Sequence, residues 1–162
     1  MELIILKGEE DRGKTTTVAL VHNLLLEKGI ECKKIDCDNS VYTETQKIKI
    51  ENEVKDFSSK FEFENKKILI FSEGDRKNYF NEYILPYSKE CNKIDVLVMC
   101  VRMNYKRWKI QLYEEVKEKF KNCNIKEFTP KYLDKYNSED EMLAAKKETA
   151  EEIVEYIYEV IQ

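Results

Sequence analysis

Eight consecutive residues, Gly8-Glu9-Glu10-Asp11-Arg12-Gly13-Lys14-Thr15, place two glycines with four residues between them and follow the second at once with a lysine and a threonine. That spacing suits a cradle for a phosphate chain. The glycines let the backbone curl so that successive N–H groups point inward at a β-phosphate, and a helix beginning near Lys14 adds its positive end. Lys14 would reach the β- and γ-phosphates, and Thr15 would set its hydroxyl on Mg²⁺. Arg12 supplies further positive charge and Thr16 a further phosphate contact. Gly8, Arg12, Gly13, Lys14, Thr15 and Thr16 are therefore the candidate nucleotide-binding residues.

Three of the four residues between the glycines are acids, Glu9, Glu10 and Asp11. A backbone cradle needs only that their side chains point outward. Across roughly 8 Å of water, each would repel a Mg-nucleotide of net charge near −2 by about 1 kcal/mol, or about 3 kcal/mol together. Four or five charge-assisted hydrogen bonds at roughly 1.5–3 kcal/mol each outweigh that. Binding is expected to survive.

The pattern G-x-x-x-x-G-K-[ST], set between the apolar run Leu3 to Leu6 and a helical stretch, resembles the P-loop NTPase superfamily. The resemblance implies a three-layer α/β fold with a mostly parallel five-stranded sheet, and Mg²⁺ and ATP as cofactors. It also implies an acid after an apolar strand to assist the metal. Glu73 and Asp75, which follow Lys67 to Phe71, are favoured for that place over Asp36 and Asp38, which follow the second strand. Either pair would lie near the loop if its strand neighbours the first. Ser72 and Glu73 stand where an aspartate usually comes directly. Ile35-Asp36-Cys37-Asp38-Asn39 is similar to an element of adenylylsulfate kinases and related small-molecule kinases, with Cys37 replacing a glycine. On that likeness, Asp38 or Asp36 would orient or deprotonate an acceptor hydroxyl.

Asn92-Lys93-Ile94-Asp95 has the N-K-x-D spacing of a guanine reader, but it precedes a strand and is expected at the edge away from the loop. ATP is therefore the expected nucleotide. The four arginines, Arg12, Arg76, Arg102 and Arg107, all fall in or just after segments leaving strand ends. Their forked guanidinium groups suit phosphate oxygens, so Arg102 or Arg107 would approach the γ-phosphate or an acidic substrate. The candidate catalytic residues are Lys14, Asp38 and Arg102, and the candidate metal ligands are Thr15, Glu73 and Asp75.

The elements that must position these groups alternate between β and α patterns, as in βαβ units. Leu3 to Leu6 predicts a first strand, and Lys14 to Lys28 a helix that stops at Gly29. A second strand is expected over Glu31 to Ile35. Ser40 to Lys67 contains neither Gly nor Pro, and its spaced apolar residues predict helices. The near-continuous apolar runs Lys67 to Phe71 and Asp95 to Val101 predict strands buried on both faces. Tyr105 to Lys121 reads as a helix with Trp108, Leu112, Val116 and Phe120 on one stripe. Ile125 to Thr129 is a short strand, and Ser138 with Glu141 forms a capping box for a last helix running to near Gln162.

The 162 residues carry 28 basic and 32 acidic side chains, a net charge of −4 that points to no nucleic-acid partner. Five scattered cysteines lack the paired short spacings of a zinc site and read as small buried hydrophobes in a reducing compartment. No apolar run approaches the roughly 20 residues needed to span a bilayer, and no signal segment precedes the first strand. A cytoplasmic single domain over residues 1–162 is expected. His22 reads as a packing or surface residue of the first helix. Two readings of the function stay open: an ATPase or phosphotransferase acting on a small acceptor, and a nucleotide-dependent switch in which the tyrosine-rich stretch Tyr79 to Tyr87 meets a protein partner.

Overall fold

The computed structural model describes residues 1–8, 14–37, 45–50, 54–74, 77–102, 107–130 and 138–162, except for the side chains of residues 102 and 107–111. Its strands are β1 (Glu2–Gly8), β2 (Glu31–Asp36), β3 (Ser58–Phe63), β4 (Lys66–Phe71), β5 (Val96–Arg102) and β6 (Asn124–Phe128). The helices are α1 (Lys14–Glu27), the single turn α2 (Lys77–Tyr79), α3 (Arg107–Lys119) and α4 (Glu139–Ile161). After α2 the chain continues through a π turn, Phe80–Ile84, and a 3₁₀ turn, Leu85–Lys89. The strands form one sheet in the order β2-β3-β4-β5-β1-β6, in which only β3 runs against the rest.

The sheet thus has six strands where five were expected, and the extra one is β3, in the stretch read as helical. Ser59, Phe61 and Phe63 alternate toward one face of the sheet and Lys60 and Glu62 toward the other, but a serine in a buried place hides the period of two. Glu64 closes the hairpin at φ 53°, a conformation usually announced by Gly or Asn. Ahead of it, Ile48 is buried without being helical. The Asn23 side chain of α1 donates to its carbonyl at 2.9 Å and accepts from its N–H at 2.8 Å, and so stands in for a neighbouring strand.

Alternate residues of each central strand enter opposite cores. Ile4, Leu6, Ile68, Ile70, Val96 and Val98 pack with Val18, Val21 and Leu25 of α1 and Ile153, Val154 and Ile157 of α4. Leu3, Ile5, Leu69, Phe71, Leu97 and Met99 pack with Phe80 and Ile84 of the π turn, with Leu112 and Val116 of α3 and with Phe120 just after it. Helices therefore cover both faces. Each fully buried aliphatic side chain contributes about 1.5–3 kcal/mol relative to exposure, and runs apolar on both faces are what β1, β4 and β5 supply. The edge strand β2 carries alternating charges, Glu31, Lys33, Lys34 and Asp36, which discourage edge-to-edge pairing. Ser138 caps α4 in the expected box, its hydroxyl accepting from the Glu141 N–H at 3.1 Å. Asp95 closes the edge away from the loop, its carboxylate accepting from the Lys67 N–H at 2.8 Å and from Lys66 Nζ at 3.1 Å.

His22 is a core residue. Its Nε2–H donates to the Gln46 carbonyl at 2.8 Å, so Nδ1 is the acceptor, taking the Ser59 hydroxyl proton at 2.9 Å. Its ring meets Phe57 and Phe61 edge-on, with centroids 5.6 and 4.9 Å away. Burial lowers its pKa from 6.5 to about 4, against the smaller opposing effect of the Gln46 carbonyl. Between those values the unfolded chain binds a proton that the folded chain refuses, so stability falls as the pH falls. About 2 kcal/mol from this group should be lost between about pH 7 and pH 5. Denaturant titrations should show a shallower loss over that range in His22→Gln than in the parent, and parallel profiles would count against the assignment.

Candidate functional site

All five parallel strands end at the same edge of the sheet, where Gly8, Asp36, Phe71, Arg102 and Phe128 are the last residues. Gly8 of β1 is in register with Arg102 of β5. From these neighbouring strands the chain departs to opposite sides, because β1 leads to α1 in one core and β5 leads to α3 in the other. In open α/β sheets, a crevice at the carboxyl ends of strands that diverge in this way is the usual ligand position.

Lys14 begins α1 at this point of divergence. It is 7% exposed, and its Nζ donates to the Gly8 carbonyl at 3.0 Å, so the ammonium is folded back over the end of β1. Thr15 and Thr16 occupy the same first turn and are half-buried. The first turn of α1 contains no acid, which leaves its positive end unopposed from within the helix.

One residue before Gly8, Lys7 anchors the strand end. Glu127 of β6 accepts from Lys7 Nζ at 3.2 Å and from the Tyr113 hydroxyl of α3, and Lys117 Nζ stands 3.8 Å away. Burial alone would raise the Glu127 pKa, but hydrogen bonds from Tyr113 and Lys7 outweigh it and hold the carboxyl below its ordinary value. Burial, reinforced by Glu127, pushes the Tyr113 phenol up to about 12. The cluster fixes β1, β6 and α3 beside the crevice.

Glu73 and Gly74 leave β4, which is separated from β1 by β5, a lateral distance of about 10 Å at ordinary strand spacing. Ser72 sits first because it ties down the approach to β3. Its N–H donates to the Phe57 carbonyl at 3.0 Å, and its hydroxyl accepts from the Phe57 N–H at 2.7 Å and donates to Asp56 at 3.4 Å. This brings a second carboxylate, Asp56, to the end of β4. Tyr79 lies beside both acids. Burial first, then the charges on Glu73 and Asp56, push its phenol up to about 12, against a hydrogen bond with Ser58.

The condition that would have brought Asp36 or Asp38 to the loop is not met. β2 is the far edge strand, four strand spacings from β1, or about 19 Å. Neither is β4 a direct neighbour of β1. Asp36 is exposed and paired with Lys34 at 3.1 Å. Asp38, Arg12, Gly13, Asp75 and Arg76 lie outside the described residues, as do the side chains of Arg102 and Arg107. Among the described residues no three His, Cys, Asp or Glu side chains gather as a metal-ligand group. The hard oxygens of Thr15 and Glu73, on one edge of the sheet, suit Mg²⁺, which takes few protein ligands and keeps several waters.

Asp56 and Ser58 were not legible as site residues, because only the pairing of β3 with β4 brings them to this edge. With Tyr79, Tyr83, Tyr87, Phe71, Glu73 and neighbouring residues of β2 and β3, they line a cavity of about 720 Å³. Among the described residues no helix is long and apolar enough to cross a membrane. No known protein family, characterised protein or solved structure matches the chain.

Proposed function

We propose that the chain binds Mg-ATP in the crevice between β1 and β5 and transfers the γ-phosphate to a small acceptor or to water, as a P-loop phosphotransferase or ATPase. One observation carries the reading: Lys14 is folded over Gly8 at the carboxyl end of β1, where the chain parts from β5 toward the opposite face. Here Lys14 neutralises charge on the β- and γ-phosphates, the amides of the first turn of α1 add their dipoles, and Thr15 with Glu73 holds the metal. Bound Mg²⁺ supplies charge neutralisation across the phosphate oxygens. Arg102, in register with Gly8, places a guanidinium-bearing residue at the mouth of the crevice.

Calorimetric titration with ATP and with GTP, each with and without Mg²⁺, tests the reading. ATP should bind, with affinity enhanced by the metal, and GTP should bind more weakly. Glu73→Gln should reduce the Mg²⁺ enhancement by roughly tenfold while leaving metal-free ATP affinity nearly unchanged. Absence of heat with either nucleotide, in protein that still unfolds cooperatively, would remove the phosphate cradle from consideration.

A further inference from the structure

Cys91 and Cys123 differ from the buried thiols Cys32 and Cys100. Each is partly exposed, and their sulfurs lie 3.5 Å from one another although 32 positions separate them in the chain. Cys91 sits in the turn between the 3₁₀ passage Leu85–Lys89 and β5, and Cys123 in the turn between α3 and β6. These turns feed the two strands that flank β1, at the amino edge of the sheet.

Both turns are anchored at their roots. Ile94, three residues after Cys91, and Phe120, three residues before Cys123, are buried in the same core. The Lys93 N–H donates to the Glu90 carbonyl at 2.8 Å, and the Cys123 N–H to the Phe120 carbonyl at 2.9 Å. Asp95, next after Ile94, is tied to the strands on either side of β5: its N–H donates to the Lys67 carbonyl at 3.0 Å, and its carbonyl accepts from the Glu2 N–H at 2.8 Å. The meeting of the two thiols therefore follows from the packing of their elements. With the Cys91 proton directed to the Ser88 carbonyl at 3.0 Å, the Cys123 S–H is the donor between the sulfurs. Burial, then the hydrogen bond with Cys91, pushes the Cys123 thiol up to about 11, so Cys91 is the sulfur that reacts first. A disulfide spans about 2.05 Å, so the two sulfurs need to approach by only about 1.5 Å.

We propose that Cys91 and Cys123 form a reversible modification site, a dithiol that a small disulfide such as glutathione disulfide oxidises to an intramolecular bond, fastening the 3₁₀ passage to the foot of α3. The Cys91 thiolate, its proton given to solvent, attacks one sulfur of the oxidant; the oxidant's S–S bond breaks, and the released glutathione thiolate takes up a proton. Cys123 then loses its proton and attacks the Cys91 sulfur, and the second glutathione leaves as a thiol. Two protein thiols are oxidised by two electrons, and one disulfide is reduced to two thiols. The new bond closes a loop containing all of β5 and α3, which restrains the unfolded chain. It also reinforces a noncovalent link between the same two regions, where Phe80 meets Phe120 with centroids 6.4 Å apart. The site lies at the opposite edge from Lys14 and stands independently of nucleotide binding.

Incubation of the full chain with an excess of glutathione disulfide over glutathione, followed by alkylation and peptide mapping by mass spectrometry, tests the proposal. The Cys91–Cys123 crosslink should be the main intramolecular product in the native protein, and dithiothreitol should reverse it without denaturant. The oxidised form should unfold about 5–10 °C above the reduced form. Cys123→Ser should retain glutathione on Cys91, whereas Cys91→Ser should leave Cys123 mostly unmodified, and neither variant should gain in unfolding temperature. Absence of the crosslink in folded protein, crosslinks formed mainly with Cys32, Cys37 or Cys100, an oxidised form no more stable than the reduced one, or preferential glutathionylation of Cys123 would each overturn it. Crosslinking and unfolding of the parent need no variant, so misfolding of a serine variant leaves both readouts intact.

Discussion

Replacing Lys14 with alanine should lower the affinity for Mg-ATP by at least two orders of magnitude, read by calorimetry, while the protein unfolds at a temperature close to the parent's. The ammonium is largely buried and held against the Gly8 carbonyl, so it is already placed at the end of β1 before any ligand arrives. Little side-chain entropy is then lost on binding. Two charge-assisted contacts to the β- and γ-oxygens, at about 1.5–3 kcal/mol each, give about 3 kcal/mol or more, which is at least two decades in affinity. The acid-rich loop sharpens the contrast, because Glu9, Glu10 and Asp11 repel the nucleotide in parent and variant alike. Parent-like affinity in Lys14→Ala would show that the lysine does not meet the phosphates. Lys14→Arg should also bind poorly, because the forked group is too broad for a side chain folded back over a strand end.

Gly74→Ala is expected to cost about 3 kcal/mol of stability, a fall of roughly 10 °C in unfolding temperature for a chain of this size. A methyl group added at Gly74 would lie 2.4 Å from the Cys100 carbonyl oxygen and 3.0 Å from Met99 Cε. The methionine tip can move. The carbonyl cannot, because β5 is hydrogen-bonded between β4 and β1. The chain leaving β4 must therefore retreat from β5, taking Glu73 with it, so any Mg²⁺ dependence of nucleotide binding should weaken as well. Gly29 provides the control. Its φ of +79° strains any other residue, but nothing lies within 4 Å of an added Cβ. Gly29→Ala should cost only about 1–2 kcal/mol, and equal losses in the two variants would remove the close approach to β5 as the cause.

The central layers were legible because each physical cause lies within one segment. The apolar runs at β1, β4 and β5 need no partner to be read as doubly covered strands, and the Leu112, Val116 and Phe120 stripe identifies α3 by itself. Ser138 with Glu141 announces the start of α4. The strand end at Gly8 and the helix start at Lys14, Thr15 and Thr16 were legible for the same reason, their cause being local to one spacing. The edge of the sheet was not. Ser59 is buried because it bonds His22, 37 positions away, and Ile48 is held out of a helix by Asn23. Both reasons are tertiary, and a helical reading of the stretch followed from apolar spacing alone. The same misreading hid the cavity that Asp56 and Ser58 help to line, whose shared edge with Glu73 depends on the β3–β4 hairpin. The cysteines differ in a similar way: Cys91 and Cys123, far apart in sequence, bring their sulfurs within 3.5 Å.

The position of β1 between β5 and β6 also bears on how the molecule comes together. Leu3 is in register with Leu97 and Ile125, whereas the β3–β4 pairing is closed by a two-residue turn. During translation the hairpin can zip within microseconds of leaving the ribosome, but β1 must wait for most of the chain before either neighbour exists. The segment that organises the crevice is therefore among the last to be locked. Refolding should show a slow phase set by the docking of β1, and a ligand of the crevice should slow unfolding without speeding that phase.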